Sequence, residues 1–383
     1  MNSPFRYRAK NQAGFSLLEI LVGVGIGLLG IIVIFQVLSV FESRKRSTGT
    51  GSDAQISGNI ALYNLERDLK RAGDGFGMAP YTVTNPHMGC TVTAYDAARP
   101  APAYTFFMRP VEIIDGAAGA PDQIRVLYGS GAQRADDIGF TPSTPFNDYT
   151  KKTEARNGLQ RGEVIIVHQQ DTAQCFLAEI TRDNDPDTLT LGHFAEPYVN
   201  YLGQNVAMAR FNGGPVAAPP LTRGQISNLG ISPSRNLWQL SGGKLRWQND
   251  LNYVDDGTGQ NTWTEVAEGI VDLQAQYGID ANNNGMIEIG EWTVTPPAAD
   301  WTKVRAIRIA LLARSQEYEK PDVATGNHVT PTAKSWAGGA FVMLNTNGSG
   351  GTASDPTLDW RNYRYRVYEV TIPMRNVIWG TAP

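Results

Sequence analysis

The chain has 383 residues, 42% of them hydrophobic and 18% charged, with a formal net charge of -4. That composition supports a sizeable folded core and excludes a chain disordered throughout. It shows no basic footprint for nucleic acid, and 40 glycines with 22 prolines indicate a turn-rich protein.

The first element is an almost unbroken apolar run from Phe15 to Phe41, interrupted by one charge, Glu19. As a helix it extends roughly 40 Å, enough to cross a bilayer. A cleavable secretory signal has an apolar core of only ~7–15 residues, and this run is longer. Basic residues do not orient the span, because Arg6, Arg8 and Lys10 on one side match Arg44, Lys45 and Arg46 on the other. A carboxylate in a membrane helix costs ~2.5–3.5 kcal/mol on insertion scales and is usually functional. Gly23 and Gly27, with Gly30 nearby, form a small-xxx-small surface suited to close helix approach.

Glycines at 49 and 51 predict a weak point in the helix over Ser47–Ser52. An amphipathic pattern then resumes: Leu62, Leu65, Leu69 and Ala72 share one helical face, Glu66 and Lys70 form an i,i+4 pair, and Gly73 suits the C-terminal stop.

From Phe76 the chain reads as strands and loops. Strands are expected at Gln123–Tyr128, Glu163–His168, Cys175–Thr181, Thr188–Leu191, Ala207–Phe211, Leu237–Leu240 and Lys244–Trp247, then at Val271–Tyr277, Val304–Ala313, Phe341–Leu344 and Tyr363–Ile372. The last alternates Tyr363, Tyr365 and Val367 against Arg364, Arg366 and Tyr368, and Pro373 places it at an edge or an end.

The segment Asp280-Ala281-Asn282-Asn283-Asn284-Gly285-Met286-Ile287-Glu288-Ile289-Gly290-Glu291 fits the twelve-position calcium loop. Asp280, Asn282, Asn284, the Met286 carbonyl and a bidentate Glu291 supply six oxygens, with Glu288 adding one through water. Val271, Leu273, Ala275 and Tyr277 alternate before it, so a strand leads into the loop where an EF-hand has a helix. The alternative is a polar Asn/Gly turn without metal. Asp183–Asp187 and Asp255–Gly257 read as solvated turns. The histidines, His87, His168, His193 and His328, form no short-spaced ligand pair, and no nucleophile elbow or phosphate loop occurs, so no enzymatic activity is expected.

Gly14-Phe15-Ser16-Leu17-Leu18-Glu19, after a short basic leader, resembles the processing site of type IV prepilins. The resemblance implies that a prepilin peptidase cuts after Gly14, that Phe15 becomes the methylated N-terminus, and that Glu19 is the assembly glutamate at the fifth mature position. Its natural partner is the free α-amino group of a neighbouring subunit. The helix-breaking proline of many such pilins is absent around Gln36. Leu62–Gly73 resembles the end of the long helix in PilW-like minor pilins, and Lys303–Ser315 and Tyr365–Val370, followed by Pro373–Asn376, resemble the late strands of PilW-like heads and of J-type pseudopilin heads of type II secretion.

The family implies an α+β pilin fold: a leader at 1–14, a long helix at 15–72 with 15–41 in membrane or filament core, and a large, mostly antiparallel β head at 73–383. It implies a minor pilin that primes or caps a type IV pilus and supports twitching motility, adhesion or DNA uptake. Its partners are other minor pilins, the major pilin, the inner membrane and a PilY-type tip adhesin; the head is periplasmic before assembly and extracellular after it. A J-type pseudopilin is the alternative, although such heads are usually much smaller. In that extracytoplasmic setting Cys90 and Cys175, the two cysteines of the chain, are expected to form a disulfide. The region from Tyr81 to Asp250 matches no motif.

Overall fold

The structure, a computed structural model, describes residues 16–77, 88–131, 137–142, 148–154, 158–170, 172, 174–183, 189–213, 222–297, 300–322 and 325–379. Leu, Ile and Val with scattered glycines make one helix, Leu17–Leu69. The Ser16 hydroxyl begins it, accepting from the Leu18 N–H at 3.3 Å. Helical structure runs through 47–52, the predicted weak point; glycine weakens a helix without stopping it. The chain divides into two compact units, Met1–Ser52 and Asp53–Pro383. The second unit therefore holds the later part of the helix together with the strands.

In the first unit, Leu17–Ser39 is apolar and long enough to cross a membrane, and none of it is buried. In the second unit the helix has one buried stripe of Ala54, Ala61, Leu65 and Leu69. Gly58 lies on this stripe because a Cβ there would stand 2.2 Å from the Tyr368 ring. The helix ends in turns at Gly73, whose φ of +80° is left-handed and whose N–H donates to the Leu127 carbonyl at 2.9 Å.

The rest of the head is mostly antiparallel sheet. The largest sheet runs in the spatial order Ala103–Phe107, Thr91–Tyr95, Gln174–Glu179, Val164–Gln169, Gly224–Gly230, Ile138–Pro142, Thr150–Thr153 and Thr190–Gly192. Its second and third strands are parallel, with Val92 opposite Cys175. Beside that pair the Cys90–Cys175 disulfide joins Cα atoms 6.1 Å apart. A five-stranded sheet orders Thr264–Glu268, Lys244–Asn249, Ser234–Ser241, Gln123–Tyr128 and Val111–Ile114. A four-stranded sheet orders Trp292–Thr293, Ile270–Ile279, Val304–Arg314 and Tyr365–Pro373, so the strand ending in Pro373 lies at an edge as predicted.

The main core collects residues from the helix and these three larger sheets, among them Leu65, Ile124, Ile166, Leu273 and Ile309. Ile165, Val167, Phe176 and Ile226 build a second core on the other face of the large sheet. This explains the uninterrupted apolar run Val164–Val167, buried on both sides. A third cluster joins Ala310, Leu312, Phe341, Met343, Tyr363 and Tyr365.

Two expected strands are absent. Ala207–Phe211 is bent, and the Glu179 carboxylate holds it, accepting from the N–H groups of Arg210 at 2.7 Å and Phe211 at 3.3 Å. Phe341–Leu344 alternates buried and exposed residues as a strand does, yet Val342–Leu344 pair with no strand among the described residues. A short C-terminal helix, Arg375–Trp379, was not legible in the sequence.

Candidate functional site

Glu19 sits in the first turn of the helix, exposed, and one carboxylate oxygen accepts from the Ser16 N–H at 3.4 Å. With the Ser16 hydroxyl this makes a loose capping box, which gives Glu19 a local role alongside any intermolecular one. Gly14 and Phe15, the predicted processing residues, lie outside the described residues. A Cβ placed at Gly23, Gly27 or Gly30 would meet nothing within 4 Å. Nothing in the unit requires glycine at these positions, which leaves their surface available for close approach by another helix.

The oxygen-rich loop is built at the end of Ile270–Ile279, where that strand delivers Asp280 into the protein interior. Asn283 and Gly285 take left-handed φ values of 58° and 80°, which coil the chain tightly. The Asp280 carboxylate accepts from the N–H groups of Asn284 and Gly285, both at 3.0 Å. Asn282 Oδ1 accepts from the same Asn284 N–H at 3.0 Å, which draws its oxygen and an Asp280 oxygen together. Glu291 folds back over the loop, accepting from Ala281 at 3.0 Å and Glu288 at 2.9 Å. Asn284 reaches Glu288 at 3.2 Å, and its own oxygen accepts from Met286 at 2.8 Å. The strand Trp292–Thr293 then returns to pair with Tyr277 and Gly278.

The loop thus draws Asp280, Asn282, Asn284 and Glu291 toward one another at the end of a strand, as the alternation before it predicts. Its oxygens are of the hard kind that calcium takes, but among the described residues no group of three or more Asp, Glu, His or Cys side chains is placed to hold a metal. In addition, the Arg305 Nε lies 3.5 Å from Asp280 and the Lys303 ammonium donates to the Ala281 carbonyl at 3.3 Å. These cations already offset part of the loop's negative charge. Asp255–Gly257 forms the turn expected, with Asp255 accepting from Gly257 at 2.8 Å.

No sequence pattern marks the polar center where the helix meets the head sheets. Asp68, 7% exposed, accepts from the Tyr128 hydroxyl at 2.6 Å, Asn236 Nδ2 at 2.8 Å and Trp238 Nε1 at 2.7 Å. Three donors from two strands satisfy one buried carboxylate. Asp68 sits within an ordinary charged helix pattern, so only tertiary structure distinguishes it from a solvated residue. Lys151 and His193 were equally hidden. Burial lowers the Lys151 pKa to about 8, and burial with the nearby Lys151 charge takes His193 down to about 3. His168 bonds the Thr172 carbonyl at 3.3 Å and His328 bonds Asn362 at 2.8 Å, while His87 lies outside the described residues.

An exposed apolar helix, long enough to span a membrane, and a large β head define a protein carrying either a membrane anchor or a signal-type segment. Residues 243–376 match the family model of the type IV pilus-assembly protein W, PilW. The match covers about a third of the chain and supports a PilW-like protein involved in type IV pilus assembly. It spans the whole four-stranded sheet and the 280–291 loop. No curated protein and no solved structure matches the chain.

Proposed function

We propose that this chain is a minor pilin that primes or caps a type IV pilus. The observation that carries the reading is the lone carboxylate, Glu19, at the start of an otherwise apolar exposed helix, in a chain whose residues 243–376 match PilW. Cleavage after Gly14 creates a positive α-amino group on Phe15. Glu19 of one subunit pairs with that group on another, exchanging its loose bond to Ser16 for a charge-assisted one. The paired charges fix the axial register between helices, and the glycine face admits close packing. Other minor pilins, the major pilin and a PilY-type tip adhesin are its partners, and the inner membrane holds it before assembly.

The test is intact mass together with pilus incorporation. The membrane form should start at N-methylated Phe15. Glu19→Ala should leave membrane levels unchanged and reduce the protein in sheared pili several-fold. Unchanged incorporation would remove Glu19 from assembly, and a mature terminus elsewhere would remove the prepilin reading. Co-assembly with secretion pseudopilins, and not with pilins, would favour the J-type alternative.

Calcium binding by Asp280, Asn282, Asn284, Met286 and Glu291 is a second part of this reading, motivated by the convergence of oxygens in the loop. Calcium at ten times its Kd should stabilise the detergent-solubilised chain by about 1–2 kcal/mol, with magnesium doing much less. Identical melting in calcium and in chelator would reduce the loop to a turn.

A further inference from the structure

A cleft of about 480 Å³ opens on the four-stranded sheet, on the face opposite the main core. Its walls include Asp272, Arg314 and Tyr365, and its rim carries Val342 and Leu344. Asp272 is opposite Leu312 and Arg314 is opposite Tyr365 in the sheet register, so the three polar groups share one face. Asp272 is 4% exposed, and among the described residues its side-chain donor is Gln274 at 2.9 Å. The Tyr365 hydroxyl is buried and makes no hydrogen bond of good geometry, although it lies next to Arg314. A buried carboxylate and a buried hydroxyl facing the same cleft call for a ligand with polar groups of its own.

The second observation concerns the wall itself. Phe341 and Met343 point into the third apolar cluster while Val342 and Leu344 are exposed, the alternation of a strand. The Phe341 N–H donates to the Lys334 carbonyl at 2.9 Å and so continues the hairpin of Ser335–Trp336 with Gly339–Ala340, but the segment Val342–Leu344 pairs with no strand among the described residues. It is extended backbone beside the cleft, ready to accept a strand.

We infer that this cleft binds an extended peptide segment from another protein, which pairs along Val342–Leu344 and places a lysine or arginine side chain against Asp272. Arg314 and the Tyr365 hydroxyl take a carbonyl or carboxylate of the same peptide, and Val342 and Leu344 contact its apolar residues. The charge around Asp272 favours a cationic side chain there, because Asp122 adds its negative charge nearby, while Arg314 in the same lining suits the carbonyl or carboxylate. Most of the cleft lies within the residues that match PilW, but the inference stands whether or not the chain enters a pilus.

The experiment titrates the detergent-solubilised full chain with acetyl-Val-Lys-Val-amide, and with the same peptide carrying norleucine for lysine. The lysine peptide should bind at least about ten-fold more tightly, the usual worth of a charge-assisted hydrogen bond. Asp272→Asn should abolish that preference, while Glu265→Gln on the exposed edge strand should keep it. A lysine peptide N-methylated on its backbone should bind several-fold more weakly, because it cannot donate to a strand. Binding should also weaken from pH 7.5 to pH 5 as Asp272, with a pKa raised to about 6, takes up a proton. Equal affinity for the lysine and norleucine peptides, or no binding of the lysine peptide at 10 mM, would overturn the inference. Butylammonium chloride binding as tightly as the peptide would overturn its peptide part.

Discussion

The two parts of the helix Leu17–Leu69 solve opposite problems. Leu17–Ser39 is apolar all round and wholly exposed, the make-up of a membrane anchor or a signal-type segment. From Asp53 onward the same helix has one buried stripe and a polar remainder, and the head covers the stripe. The difference teaches where sequence pattern suffices. An unbroken apolar run announces a helix by itself, whereas the second part depends on contacts with residues hundreds of positions away, such as Tyr368 against Gly58.

The sharpest way to break this contrast is Asp68→Ala. It strands the donors of Tyr128, Asn236 and Trp238 in the interior and should cost the head about 3–5 kcal/mol. Urea denaturation in detergent, followed by tryptophan fluorescence, reads it. Gly58→Val should cost about 1–3 kcal/mol by overpacking against Tyr368, and Tyr368→Ala should recover part of the loss.

A smaller effect comes from pH. Burial raises Asp272 and Asp122 to about 6. A carboxyl with a raised folded pKa binds its proton more readily folded than unfolded. Its penalty is therefore full above about pH 6 and is relieved as pH falls toward the unfolded value near 4. Asp272→Asn should raise stability at pH 7.5 by about 1–2 kcal/mol and by much less at pH 5. No difference between the two pH values would mean the carboxyl is not desolvated as the structure has it. Last, Ile32→Ser in the bare part should change head stability by less than about 0.5 kcal/mol. A larger change would show that the two parts are energetically coupled.

Much of this was legible in the residues. The apolar run, the stripe of Leu65, Leu69 and Ala72, the alternation ending at Pro373 and the strand entry to Asp280 all follow local periodicity. The misses share a cause. Ala209 and Phe211 are buried like strand residues, but Glu179 replaces the ladder that would have made a strand. Phe341–Leu344 has the right pattern, but Val342–Leu344 pair with no strand among the described residues. In both cases periodicity reports burial, while strand formation requires a partner that local sequence does not specify. The order of the large sheet, with its parallel pair, was beyond reach for the same reason.

The disulfide has a mechanical consequence. Cys90 and Cys175 are 85 positions apart, and their bond closes most of the large sheet's first half into a covalent loop. Tension applied between the helix and the C-terminus travels across the bond and leaves the enclosed residues unloaded. A fully extended oxidised chain should be shorter than the reduced one by roughly 280–300 Å, at ~3.3–3.6 Å per residue. Strands such as Thr91–Tyr95 and Val164–Gln169 can then come apart only by thermal opening, while the strands outside the loop bear the pull.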